Sequence, residues 1–202
     1  ADAITGDFYY NSTTGQFKQV NTGGAPIGTW ASGGDMNTQG YQLFSLGTQT
    51  AAIRAAGYGG PPVGFQGNAE QYNGTSWTAL SAINDSRANE GGAGSGTVTA
   101  GLIYAGNTPP YANTVESWNG SSWSEVSDLN TARRLLGGDG SSNTNALVFA
   151  GEDATSSFAN STKTESWNGS SWTEVADLAT ARGNGVGGAG YGGNQTSLCF
   201  GG

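Results

Sequence analysis

The side chains able to do chemistry in this chain are carboxylates and arginines, and they return at fixed spacing. Glu70, Glu116 and Glu165 each stand two residues before an aromatic (Tyr72, Trp118, Trp167), while Arg87, Arg133 and Arg182 each follow a tryptophan by ten positions. The chain has no histidine. A Ser-His-Asp or Cys-His arrangement is therefore impossible, as are histidine-based zinc and copper sites. Glycoside hydrolysis needs only two carboxyls about 5 to 10 Å apart. Candidates are Glu70, Glu116 and Glu165, and Glu125 with Asp128, matched by Glu174 with Asp177. A catalytic pair is a unique constellation, whereas these residues recur with the repeat. The expectation is therefore a chain without a catalytic site.

The arginines admit two readings. Arg87, Arg133 and Arg182 can form a ring of donors for an acidic or sugar ligand, or they can tie neighbouring repeats through ion pairs and backbone hydrogen bonds. Asp153 beside Glu152, and Asp139 in a glycine-rich turn, are the acids that calcium would use, but as solvated loop charges they need no ion. No metal or cofactor is expected. Trp30, Trp77, Trp118, Trp123, Trp167 and Trp172 can stack on a sugar ring, though the default for such aromatics is packing between sheets.

These residues are positioned by a repeat. Thr114–Val126 returns almost unchanged at Thr164–Val175 and more loosely at Glu70–Trp77, and with Trp30 the tryptophan steps are 47, 46 and 49 residues. Self-similarity at this period marks a repeat architecture with one shared core. Thirty-six glycines and 11% charged residues suit short strands and tight turns rather than helices. In each unit an apolar run ends in glycine: Ala51–Gly57, Ala100–Gly106, Asn145–Gly151 and Thr196–Gly201. These runs read as buried strands. Asn73-Gly74, Asn119-Gly120 and Asn168-Gly169 predict hairpin turns in which both residues accept positive φ. After each arginine comes a glycine-rich stretch such as Arg133–Gly138, expected as a narrow strand where sheets crowd. Four antiparallel strands per unit amount to one propeller blade.

At these residues the chain resembles the kelch family of β-propellers. The likeness rests on the glycine closing each apolar strand, the following Glu-x-Tyr/Trp, and the Trp-x5-Leu-x3-Arg spacing at Trp123, Leu129, Arg133 and at Trp172, Leu178, Arg182. It departs from the family in reducing the glycine doublet to Ala-Gly in the second and third units and in having four repeats. The resemblance implies an all-β propeller of four four-stranded blades, forming a single domain over 1–202, with repeats over 30–202 and an N-terminal hairpin and linker over 1–29. That hairpin, Asp7–Val20, is expected to complete the last blade, either within the chain or in a neighbour. Some kelch-like propellers are copper oxidases, but this chain has no histidine ligands for copper. The resemblance also places the residues two beyond each arginine on one face of the ring. Asn89, Leu135 and Asn184, with Gln42 in the first unit, are thus the expected ligand contacts beside Arg87, Arg133 and Arg182.

Gly6–Lys18 is similar to the tyrosine-rich hairpin that precedes degenerate kelch-type repeats in tail-fibre proteins of marine phages. This implies an adhesin or fibre segment on an extracellular or virion surface that recognises cell-surface glycan or protein. The alternatives are a structural fibre subunit assembled by strand donation and, last, a glycosidase. A net charge of -8 argues against nucleic acid. No apolar run reaches membrane-spanning length. Cys199 is expected as a buried strand residue without a disulfide partner. Ala1–Ile4 shows no signal peptide, and the start without Met and the end at Gly202 suggest a processed chain or an excerpt. Sequons at Asn11, Asn73, Asn84, Asn119, Asn160, Asn168 and Asn194 matter only on a glycosylating secretory route.

Overall fold

The computed structural model describes residues 8–11, 13, 15–19, 32–94, 97–109, 111–154, 159–190 and 197–202. Trp30 and Asn194, and the linker from Val20 onward to Ala31, lie outside the described residues. The chain divides into two units, Ala1–Gly33 and Gly34–Gly202. In the first, β1 (Phe8–Asn11) pairs antiparallel with β2 (Gln16–Gln19), Phe8 opposite Gln19 and Asn11 opposite Gln16.

The second unit is all-β, with no α-helix among the described residues. Its first sheet runs β3 (Phe44–Thr48), β4 (Ala51–Ala55), β5 (Ala69–Tyr72), β6 (Trp77–Leu80), each antiparallel to the next. The second repeats this meander as β7 (Gly91–Ala93), β8 (Gly101–Tyr104), β9 (Val115–Trp118) and β10 (Trp123–Val126). Next come β11 (Arg133–Arg134), β12 (Gly137–Ser142), β13 (Asn145–Phe149), β14 (Glu152–Asp153), β15 (Ala159–Asn160), β16 (Thr164–Trp167) and β17 (Trp172–Glu174). Here β12-β13-β16-β17 form the third four-stranded sheet, while β11-β14-β15 make a small sheet of their own. Last, β18 (Gly187–Gly190) pairs with β19 (Ser197–Phe200). The described part of the fourth repeat thus holds two strands rather than four.

Each hairpin is closed by an aromatic pair directly across its strands: Tyr72 with Trp77, Trp118 with Trp123, and Trp167 with Trp172. The ring centroids are 5.1, 5.2 and 5.2 Å apart. Only the glycine of each Asn-Gly takes positive φ (93° at Gly120). This corrects the expectation that both residues would. The asparagine works through its side chain, its Oδ1 accepting the amides of Ser121 and Ser122 and, in the third repeat, of Ser170 and Ser171. Positive φ at the first central position alone is the form of hairpin turn that requires glycine there.

Strands β3, β7, β12 and β18 lie against one another in succession. Their glycines make this approach possible. A Cβ on Gly92 would overlap the Phe44 ring, and one on Gly138 would overlap the Tyr104 hydroxyl. Two apolar cores fill the spaces between sheets. One, with Phe44, Ile53, Ile83, Ile103, Trp118 and Trp123, joins the first two repeats, and the other, with Leu102, Tyr104, Val148, Trp167 and Trp172, joins the second and third. Tyr104 meets Trp172 edge-on across that second boundary at 5.6 Å.

The stretch Arg133–Gly138 is not one narrow strand. Leu135 takes a left-handed φ of 52° and separates β11 from β12. Its counterparts Gln42, Asn89 and Asn184 do the same, at 56°, 57° and 52°. Non-glycine residues seldom occupy this region, so four at matched positions mark a shared backbone device.

Candidate functional site

The repeated carboxylates and arginines find each other. Arg87 donates to Glu116 at 2.7 Å, Arg133 to Glu165 at 2.7 Å, and Arg54 to Glu70. All six side chains are buried. In the second and third repeats the arginine belongs to the segment entering one sheet and the glutamate to the third strand of that sheet. Arg87 also donates to the Ala105 and Thr114 carbonyls, and Arg133 to those of Ala150 and Lys163. In the first repeat, where Gly40 stands at the arginine position, Arg54 on β4 takes over the role from inside the sheet.

An asparagine completes each glutamate. Asn37, Asn84 and Asn130 donate from the backbone and from Nδ2 to Glu70, Glu116 and Glu165, at 2.8 to 2.9 Å. Burial works against ionisation of Glu70, but the Arg54 hydrogen bond and those from Asn37 and Thr38 outweigh it, so its carboxyl sits at about 2. Removing one partner of such a buried pair leaves the other charge uncompensated, at a cost of about 3–5 kcal/mol. These carboxylates are committed to the fold.

Arg87 and Arg133 are thus buried and engaged in ion pairs and backbone hydrogen bonds, the second of the two readings. Arg182 differs. It is half-buried, and its Nη1 donates to the Gly201 carbonyl at 2.6 Å.

The left-handed positions do converge. A cavity of about 430 Å³ is lined by Gln42 and Leu43, Asn89 and Glu90, Leu135 and Leu136, and Gly185 and Val186, two residues from each repeat. Asn184 lies next to Gly185, exposed, and is not in the wall. Backbone hydrogen bonds link the repeats around it: the Asn89 amide donates to Gln42 O at 3.1 Å and the Leu135 amide to Asn89 O at 2.9 Å. Strand register puts this cavity at one end of the sheets. Phe44 pairs with Ala55, Gly91 with Tyr104 and Gly137 with Phe149, so the cavity residues just before each first strand share an end with the loops that follow each second strand.

Those loops differ between repeats. Tyr58 bridges Tyr41 and Phe65 in the first, Asn107 bridges Ala88 and Tyr111 in the second, and β11-β14-β15 occupy the place in the third. Tyr41 is 53% exposed, stacked edge-on against Tyr58.

One cavity residue breaks the pattern. The position immediately before the first strand is Leu43, Leu136 and Val186 in the first, third and fourth repeats and Glu90 in the second. Both Glu90 carboxyl oxygens are buried without a hydrogen-bond partner. Burial raises its pKa to about 8, with its own amide, Arg87 and the Phe44 amide opposing. Sequence reading missed Glu90. The signal was its departure from an otherwise apolar column, visible only once the glycine-rich strands are aligned by their starts. The asparagines that complete each glutamate were likewise missed, although Asn84 and Asn130 each stand three residues before an arginine.

The remaining candidates separate by burial. Trp118, Trp123, Trp167 and Trp172 belong to the cores, which removes them as sugar platforms, and Trp77 is half-buried with its Nε1 donating to Gly34 O at 3.0 Å. Asp139 lies in strand β12 rather than in a turn, and both it and Asp153 are buried instead of solvated. Asp153 pairs with Lys163 at 3.3 Å and Glu152 with Arg134 at 2.8 Å. Among the described residues no cluster of three His, Cys, Asp or Glu side chains has the arrangement to hold a metal. Glu125, Asp128, Glu174 and Asp177 are exposed. Cys199 is half-buried on β19, not fully buried as expected. Of the sequons, Asn73, Asn119, Asn160 and Asn168 are exposed, Asn84 is exposed but has its Nδ2 engaged by Glu116, and Asn11 lies on β1. No protein-family model matches the sequence, and no curated protein matches it.

Proposed function

We propose that the chain is a non-catalytic, kelch-like β-propeller module that recognises cell-surface glycan or protein from an extracellular or virion surface, in the manner of a tail-fibre or adhesin segment. The observation that carries this reading is the cavity shared by four repeats, surrounded at the same end of the sheets by loops that differ from repeat to repeat. Variation confined to one end of a regular scaffold suits a binding face. The repeated carboxylates support the non-catalytic part, because Glu70, Glu116 and Glu165 are locked in buried ion pairs and do not face one another across a cleft. The glycosidase reading has no such support.

Binding of the purified chain to an array of surface glycans tests this. Gln42→Gly combined with Asn89→Gly, which keep the left-handed backbone while removing the amide side chains, should reduce retained signal at least tenfold without lowering the unfolding midpoint. Undiminished binding by that variant would remove the cavity end from the recognition surface.

A second reading, a fibre subunit assembled by strand donation, is favoured by β19. Leu198 and Phe200 are 65% and 50% exposed on it, and Arg182 meets no glutamate among the described residues, unlike Arg87 and Arg133. A hairpin added beside β19, from the N-terminal segment of the same chain or a neighbour, would supply the two outer strands that the first three repeats possess. The same latch is the proposed means of closing the propeller.

A further inference from the structure

We propose that the shared cavity takes a neutral sugar bearing an N-acetyl group. The inference rests on the binding-module reading and names the class of its ligand. The cavity, about 430 Å³, falls within the span of about 300–1,000 Å³ usual for small-ligand sites. Its wall combines two chemistries. Gln42, exposed, and Asn89, half-buried, bring carboxamides that form no side-chain hydrogen bond among the described residues. Leu43, Leu135 and Val186, each half-buried, bring apolar surface still open to water. The two carboxamides are also held in place, since Gln42 and Asn89 share the left-handed backbone and the Asn89 amide donates to Gln42 O at 3.1 Å.

A carboxamide offers two N–H donors and a carbonyl acceptor, so it can pair with an acetamido group, which offers one of each. The acetyl methyl then meets the leucine and valine side chains. Covering apolar surface in this way is a contribution that a hydroxyl at the same ring position does not supply. Ring hydroxyls, which both donate and accept, suit the second carboxamide.

Charge decides what is left out. No basic residue lines the cavity, Arg87 and Arg133 are buried in ion pairs, and the chain carries a net charge of -8, so an acidic sugar finds no counter-charge. Glu90 draws in no amino sugar either, because its carboxyl oxygens have no contact with solvent. An extended peptide is disfavoured on separate grounds. It would dock through free main-chain groups, and here the Asn89 and Leu135 amides already donate to Gln42 O and Asn89 O.

The test titrates the full chain by NMR with the methyl glycosides of N-acetylglucosamine, glucose and glucosamine, with N-acetylneuraminic acid, and with N-acetyllysine methylamide as an acetamide that is not a sugar. The N-acetylglucosaminide should bind at least fivefold more tightly than each of the others. That preference should vanish in the Gln42→Gly, Asn89→Gly double variant, with the unfolding midpoint as the check on folding. Equal affinity for glucoside and N-acetylglucosaminide would overturn the proposal, and wild-type protein alone decides that. Acetyllysine binding as tightly as the N-acetylated sugar would overturn it by making an acetylated protein the ligand. An unchanged preference in the folded double variant would also overturn it. If binding on the glycan array still depends on Gln42 and Asn89 while no N-acetyl preference appears, this inference fails and the binding-module reading stands.

Discussion

Burial holds the Glu90 proton well above the ordinary carboxylate range, against the opposing Glu90 amide, Arg87 charge and Phe44 amide, and this is expected to make stability depend on pH. The unfolded chain releases that proton near the ordinary value of 4.5, whereas the folded protein keeps it to about 8. Between those limits the folded state binds more protons, so stability falls as pH rises, with a slope of at most about 1.4 kcal/mol per pH unit. No histidine titrates in the same window. Urea denaturation at pH 5, 6, 7 and 8 should show this decline in the wild type and a nearly flat profile in Glu90→Gln. A flat wild-type profile would mean that the carboxyl is solvated. Glu70 behaves in the opposite sense. Its lowered value contributes stability above about pH 4.5 that is lost as pH falls toward 2, outside the window that reports Glu90.

At the scale of the strands, the contact between neighbouring sheets depends on absent side chains. Gly92 on β7 faces the Phe44 ring of β3, and the space a Cβ would need is already filled. Gly92→Ala should destabilise by about 1–3 kcal/mol, the usual cost of forcing an extra carbon into a packed interior. Combining it with Phe44→Leu, which shortens the obstructing side chain, should recover part of that loss in chemical denaturation. If the double variant is no more stable than the sum of the single losses, the clash lies elsewhere. Buried strands β8 and β13 explain why small residues prevail on the glycine-rich first strands. They carry the bulk, in Tyr104 and Phe149, and the glycine-rich strands leave room for it. The hairpins do the converse, with paired tryptophans on β9, β10, β16 and β17 contributing bulk to the two apolar cores.

For the whole molecule, the latch proposal turns on β19, where Leu198 and Phe200 stand exposed. If the N-terminal hairpin supplies those strands, deleting residues 1–33 should lower the unfolding midpoint and expose Leu198 and Phe200 to dye binding. If the hairpin enters a neighbour instead, the same deletion should convert a concentration-dependent ladder into a single species near monomer size, read by light scattering. A truncated chain unchanged in both measurements would end the latch proposal. The repeat itself was legible from Trp118, Trp123, Trp167 and Trp172 and from the glycine that closes each apolar run, because strand alternation and turn geometry are local and write themselves into nearby residues. That Gln42 and Asn89 share one end of the sheets was an expectation from the kelch resemblance alone, since nothing local in either residue marks it. Which arginine pairs with which glutamate was not legible, since Arg87 and Glu116 stand 29 residues apart and meet only when the segment entering the sheet folds back beside its third strand. Nor was the isolation of Glu90. Between Asn89 and Gly91 it looks like any surface acid in a one-dimensional string, and only tertiary packing takes its carboxyl oxygens out of water.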